Sequence, residues 1–292
     1  MTFPPRPLRW TALLLAAGAL AGWGRCGATA ATPRGGACPL PGTGPYQLTW
    51  QDEFDGPAGA SPDAANWRFD VGTGDGGWGN NQLEYDTARP ENAGLDGQGH
   101  LAIVARREAL GGMAYTSARM TTRGLHEECY GRVEARIKLP RGSGLWPAFW
   151  LLGADIGTTS YWPACGEIDV MEYLGQAPTR VFSTVHGPGY SGAYGISQAA
   201  YLPGGAAFDL DFHDFAVEWD PYQLVFQVDG TTVGVAVTPA LLPHGTTWVF
   251  DHPFFLILNL AVGGNLGGAV GGDTAFPATM LVDWVRVYER AP

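Results

Sequence analysis

The residues best suited to chemistry lie in one short segment, Trp162-Pro-Ala-Cys-Gly-Glu-Ile-Asp-Val-Met-Glu-Tyr173. It places Glu167, Asp169 and Glu172 within six residues, interleaved with the apolar Ile168, Val170 and Met171. On a regular strand Glu167 and Asp169 share one face and Glu172 points to the other. A bulge at Val170-Met171 would absorb one residue and return Glu172 to the face of the first two. Three carboxyls on one partly buried face repel one another and lose hydration. At least one pKa rises, so one acid can stay protonated while another is ionised. Hydrolysis of a glycosidic bond needs that division of labour, with carboxyls about 5–5.5 Å apart for retention and about 6.5–9.5 Å for inversion. Alternate strand positions separate Glu167 and Glu172 by about 13 Å of backbone, so their side chains must lean inward on a curved strand to reach the retaining range. The same acids also suit a solvated strand face or a calcium site. Apolar interleaving and nearby tryptophans weigh against a solvated face.

The elements that must carry these residues are strands. Only 15% of the 292 residues are charged and 46% are hydrophobic, against about 25% charged in an average soluble protein, which disfavours disorder and coiled coil. The 43 glycines and 22 prolines suit many short strands joined by turns rather than long helices. The net charge of -11 excludes a polyanionic partner such as nucleic acid, which needs clustered Lys and Arg. Eleven tryptophans offer flat rings that could stack on something neutral, sugar rings among the candidates.

Tyr130 to Leu139 alternates Val133, Ala135, Ile137 and Leu139 with Arg132, Glu134, Arg136 and Lys138, which predicts a strand with one wet face. Tyr222–Val228, Asp229-Gly230 and Thr231–Val237 read as a hairpin around a favoured turn dipeptide. Phe254–Val262 is a near-continuous apolar run that fits a strand buried on both faces, and Thr279–Tyr288 reads as a final, β-branched strand. Strands without intervening amphipathic helices predict an all-β, two-sheet sandwich.

Arg6 and Arg9, the apolar run Trp10–Gly24 and the small-residue site Ala28-Thr29-Ala30 form the pattern of a secretory signal peptide over residues 1–30. The run is shorter than the ~20 residues of a membrane span. Residues 31–44 read as a flexible lead-in, and 45–292 as one domain. The mature protein is expected to be secreted and free of the membrane. Cleavage would leave Cys38, Cys129 and Cys165; an odd number leaves at least one thiol unpaired within the chain, and the pairing is open.

The segment Glu167-Ile-Asp-Val-Met-Glu172 resembles the active-site signature of glycoside hydrolase family 16 in its bulged form. The resemblance continues through Trp50-Gln-Asp-Glu-Phe-Asp55, Gly77-Trp-Gly-Asn-Asn-Gln-Leu-Glu-Tyr85, Tyr115-Thr-Ser-Ala-Arg119 and Tyr130-Gly-Arg-Val-Glu-Ala-Arg136. Leu145-Trp-Pro-Ala-Phe-Trp-Leu-Leu152, Leu260-Ala-Val-Gly-Gly-Asn265 and Val282-Asp-Trp-Val-Arg-Val-Tyr288 extend it over nearly all of residues 46–289. These blocks look most like bacterial laminarinases, endo-acting β-1,3-glucanases. The resemblance implies a jelly-roll β-sandwich, concanavalin A-like, with a concave sheet forming an open cleft.

By that resemblance Glu167 is the nucleophile and Glu172 the general acid and later base, while Asp169 hydrogen-bonds to the nucleophile and tunes it. It further implies that Trp146, Trp150 and Trp162 face sugar in the cleft, with core packing as the alternative for each. It places His186 near the acids, and Arg119 and Asn81 at polar cleft positions, with a structural hydrogen bond as the alternative for the last two. Catalysis would need no cofactor. A structural calcium ion on the convex face is implied at Glu53, Gly97 and Asp283. The partner is a polysaccharide, and one closed domain with an open cleft is expected to act as a monomer.

Two departures bear on the substrate. Leu266 stands where relatives usually carry tryptophan, and Gln82-Leu-Glu84 with Asp86 replaces the commoner Glu-Leu-Gln and Tyr. The same chemistry on β-1,3-galactan, mixed-linkage glucan or an algal galactan therefore stays open. A non-catalytic β-glucan-binding module is the remaining alternative, although such modules have typically lost both glutamates.

Overall fold

The computed structural model describes residues 36–292; the expected signal peptide lies outside the described residues. The strands in chain order are β1 (Tyr46–Asp52), β2 (Arg68–Phe69), β3 (Glu84–Asp86), β4 (Ala93–Leu95), β5 (Leu101–Ala105) and β6 (Tyr115–Ser117). They continue with β7 (Arg119–Thr121), β8 (Gly131–Lys138), β9 (Leu145–Gly153), β10 (Glu167–Tyr173), β11 (Val181–His186) and β12 (Ile196–Ala200). The last are β13 (Phe212–Asp220), β14 (Gln223–Val228), β15 (Thr231–Thr232), β16 (Phe254–Val262) and β17 (Ala278–Arg290). A single turn of helix, α1 (Gly264–Gly267), follows β16.

Two antiparallel sheets form the sandwich. One runs β15-β14-β13-β8-β17-β5-β4, with β1 also paired to β17, and the other runs β12-β11-β10-β9-β16-β7-β2. Runs of consecutive strands, β15-β14-β13 and β12-β11-β10-β9, are joined to strands distant in sequence, as in β13-β8, β8-β17 and β9-β16, the long crossovers a jelly roll requires. A short parallel pair, β3 with β6, lies beside them.

The patterning predicted from sequence is recovered in β8, where Val133, Ala135 and Ile137 are buried while Arg132, Arg136 and Lys138 are half-exposed. The exception is Glu134, which is buried because Arg132 and Tyr288 both bond to its carboxylate. β16 is buried along its whole length, as a strand packed on both faces must be. The hairpin turn has φ 49° at Asp229 and 73° at Gly230, the positive pair that matches the twist of two-residue hairpins. Its return strand is shorter than expected and stops at Thr232. Gly234, at φ 60°, turns the chain so that the Val235 N–H bonds to the Gln198 side chain instead.

Between the sheets, Trp219 anchors the core. Its indole is fully buried, donates to the Phe250 carbonyl at 2.8 Å and makes edge contacts with Tyr130 and Phe254. Cys38 and Cys129 form a disulfide that ties the segment before β1 to the loop entering β8, and Cys165 is a buried thiol. Among the described residues no helix is long and apolar enough to cross a membrane.

Candidate active site

β10 carries the acids, and its ladders show how. Against β11 the register shifts between Asp169 and Glu172, and against β9 it shifts between Asp169 and Met171. The extra residue is the bulge expected at Val170-Met171. Ile168, Val170, Met171 and Tyr173 all join the core between the sheets, so Glu167, Asp169 and Glu172 share the opposite face. Hydrophobic burial of consecutive Val170 and Met171 holds the slip in place, since undoing it would expose one of them.

Each acid has a defined partner. Trp162 Nε1 donates to Glu167 Oε2 at 2.5 Å. Trp146 Nε1 donates to Glu172 Oε1 at 3.1 Å, and the Thr184 hydroxyl donates to Glu172 Oε2 at 3.4 Å. His186 Nε2 stands 3.2 Å from Asp169 Oδ2. The last approach is tight because Gly195 lies against the imidazole, where a Cβ would come within 2.4 Å of Cε1. Glu167, Asp169 and His186 bring one donor atom each within 4.8 Å of one another, a spacing that would suit a cation as well as proton exchange.

Electrostatics forbid three charges here. Burial, then repulsion from Asp169, pushes Glu167 up to about 8. Burial, then the charge of Glu167, pushes Glu172 up to about 7. Burial, then Glu172, raises Asp169 well above the carboxylate range. His186 acts in the other direction on both glutamates. The contact between Glu167 and Asp169 raises the first and lowers the second, so the acids share protons as a coupled set, and the Glu167 carboxylate also receives the Trp162 N–H. The Trp162 N–H favours the ionised form of Glu167, as the Trp146 N–H does that of Glu172, and a set of acids raised this far can exchange one proton near neutral pH.

The remaining expected residues fall into place unevenly. Trp162 is 45% exposed beside Glu167. Trp146 is buried against Leu174 and Ala261, in line with the packing alternative, and its Nε1 bonds to Glu172. Trp150 is half-buried, with Nε1 bonded to Asn259 and the Arg119 guanidinium 4.6 Å from its ring centroid. Arg119 is buried, pairs with Asp70 at 3.0 Å and stacks on Trp78 as well. Asn81 is exposed and donates to Asn265 at 2.9 Å, linking its loop to α1. Leu266 projects from α1 at 41% exposure.

Thr184, Asn259 and Trp78 were missed. Thr184 sits two residues before His186 and so shares its face. Asn259 is the lone polar residue in the apolar run Phe254–Val262, a signal that could have been read. Trp78 gave none, because its contact with Arg119 depends on a loop held at φ 53°.

The expected calcium position differs from a carboxylate cage. Both oxygens of Glu53 bond to Arg286, at 2.8 and 2.9 Å. Asp283 Oδ2 lies 3.3 Å from Arg136, and Oδ1 lies 4.0 Å from His100. Gly97 is exposed in a left-handed turn at φ 77°.

Residues 79–286 match the model of glycosyl hydrolases family 16. The chain belongs to this family. Among family 16 relatives it is 44% identical over 250 residues to the "Beta-glucanase" of Rhodothermus marinus, covering 83% of this chain and 85% of that protein. The laminarinase catalytic domain of Thermotoga maritima superposes with a TM-score of 0.79 at 46% identity, over 85% of this chain and 99% of that one. The endo-β-1,3-glucanase of Pyrococcus furiosus superposes equally well, TM-score 0.79 at 44% identity, over 88% and 99%. As a family 16 member the chain is a glycoside hydrolase with a jelly-roll sandwich.

Proposed function

We propose that this chain is a secreted endo-β-1,3-glucanase of the laminarin-degrading type that works by double displacement. The observation that carries the mechanism is the bulge at Val170-Met171, which sets Glu167 and Glu172 on one face around Asp169. The substrate class rests on the β-glucanase and laminarinase relatives. Glu172 protonates the glycosidic oxygen while Glu167 attacks the anomeric carbon, so the leaving chain departs as an alcohol and a covalent glycosyl-enzyme forms. Glu172, now a carboxylate, takes a proton from water, whose oxygen attacks the same carbon and frees Glu167. Two inversions give net retention. Asp169, between the two glutamates, tunes the ionisation of Glu167, and every step draws on side chains of this chain.

Release of reducing ends from laminarin, curdlan, barley glucan, galactan and agarose tests the substrate, and nuclear magnetic resonance of the first products tests retention. Fast turnover of laminarin with β-anomeric products is expected. Preference for a galactan would move the substrate while leaving the mechanism, and α-anomeric products would overturn the mechanism. Export is part of the proposal: the mature protein begins at Ala31, which N-terminal sequencing of the exported protein checks, and the enzyme acts as a monomer. A structural calcium ion, if held at Glu53, Gly97 and Asp283, rests on Asp283 Oδ1 and main-chain oxygens, because Arg286 occupies the Glu53 carboxylate. A melting temperature that chelation leaves unchanged removes it.

A further inference from the structure

Beyond the acids, the cleft floor has a second organised region. The ladders align Glu172 with Ala148, Ala148 with Asn259, and Asn259 with Arg119, one cross-strand row from β10 through β9 and β16 to β7. Three strand spacings put Arg119 about 14 Å from Glu172 along that row. A polymer lying across the strands thus passes the small Ala148 and reaches Arg119. There the guanidinium is sandwiched between Trp78, at 4.8 Å, and Trp150, at 4.6 Å. Trp78 and Trp150 are both half-exposed, whereas Arg119 is buried beneath them.

Trp78 is on a loop that strands do not hold. It sits inside Gly77–Asn81 at φ 53°, beyond the reach of either sheet's ladder. One side chain fixes it from below: Asp86 Oδ2 accepts the Trp78 Nε1–H at 2.8 Å. Asp86 is 2% exposed, on β3, and burial pushes its pKa up to about 7, opposed by the charge of Arg119 and by the Trp78 N–H. A buried carboxylate is costly unless donors and cations surround it. Asp86 therefore orients the loop tryptophan that stacks on Arg119, while Asp70 pairs with the guanidinium itself.

We propose that Asp86 is a positioning residue for a remote sugar subsite formed by Trp78, Arg119 and Trp150 at the β7 end of the cleft, a subsite that binds β-glucan chains long enough to reach it. Asp86 does not touch substrate. It sets the plane of Trp78, the loop-side ring of the cation–π stack on Arg119. The proposal rests on the cleft being the glucan site, which wild-type turnover of laminarin tests separately.

The test compares kcat and KM of wild type and variants on laminarin and on a series of short β-1,3-glucan oligosaccharides, with melting temperatures recorded. Asp86→Ala is expected to raise KM for laminarin about 5- to 10-fold, the scale of one lost charge-assisted hydrogen bond. Its kcat should change less than about twofold, because the chemistry lies elsewhere. On oligosaccharides too short to span the row the KM penalty disappears. Trp78→Phe, which removes the donor and leaves Asp86 in place, should reproduce the KM effect, and the double variant should be no worse than either single one. Asp86→Asn keeps an acceptor for the indole and should bring KM back towards wild type. The idea fails if the KM penalty is the same for every chain length, if kcat falls with KM unchanged, or if Trp78→Phe leaves KM as it was. Should Asp86→Ala not fold, Trp78→Phe and Asp86→Asn decide the matter alone.

Discussion

Trp162 and Glu167 are joined by a 2.5 Å hydrogen bond from indole N–H to carboxylate, and the pair opens to solvent on the tryptophan side. Trp146 makes the matching bond to Glu172 from a buried position. Each catalytic glutamate thus has its own indole donor, one at the cleft surface and one beneath it. Such a donor favours the ionised form of its partner, so the two tryptophans can be used to tell the two roles apart.

The roles of the two acids predict opposite limbs of the pH–rate profile. The coupled pair titrates as a unit, with Glu172 pushed up to about 7 and Glu167 up to about 8. The general acid must be protonated, so its loss draws the alkaline limb; the nucleophile must be ionised, so its protonation draws the acid limb. Trp146→Phe removes a group that lowers the Glu172 pKa and should move the alkaline limb upwards. Trp162→Phe should instead move the acid limb upwards. Shifts of about one pH unit are expected in kcat/KM profiles on laminarin; the reverse assignment of limbs would exchange the roles.

Replacing Glu167 with Ala should remove turnover while sparing affinity. A loss of at least about 10,000-fold in kcat is the expected scale for a missing nucleophile. Binding of laminarin, measured by calorimetry, should persist, because the cleft walls are untouched. Full residual activity would end the double-displacement assignment.

Removal of His186 should act on the acids together. The imidazole lowers the pKa of both Glu167 and Glu172 and stands 3.2 Å from Asp169. His186→Ala should therefore shift the whole bell to higher pH, whereas each tryptophan variant moves one limb. A profile unchanged in position would show that the histidine only fills space.

Glu128 predicts a stability effect away from the cleft. It is buried before β8, and burial, then the charge of Glu289, pushes its pKa up to about 7 from 4.5. The folded state holds this proton more tightly than the unfolded chain does. Its stabilisation is complete below pH 4.5 and is lost as pH rises towards 7, by at most about 3 kcal/mol. Glu128→Gln, always neutral, should melt higher than wild type at pH 8 and show little gain at pH 4 in a thermal scan.

Much of this protein was legible in its sequence because the relevant forces are local or periodic. Alternation in Tyr130–Leu139 and the near-continuous apolar run Phe254–Val262 specified strands and their buried faces, since strand period and hydrophobic burial act on neighbouring residues. Glu167, Asp169 and Glu172 stood out because acids interleaved with Ile168, Val170 and Met171 are costly without a purpose, and that cost even located the bulge. Tertiary structure alone decided which tryptophan does what. Trp146 and Trp150 alternate on the same strand and look equivalent, yet one is buried under Glu172 and the other is packed on Arg119, because β16 and β7 bring Asn259 and Arg119 beside only the second. It also decided that Cys38 pairs with Cys129, and that Asp86, marked in the sequence only as a departure from the commoner Tyr, meets Trp78. Those contacts join segments whose separation in the chain carries no periodic signal, so only the folded sheets, by setting which strands lie side by side, could bring them together.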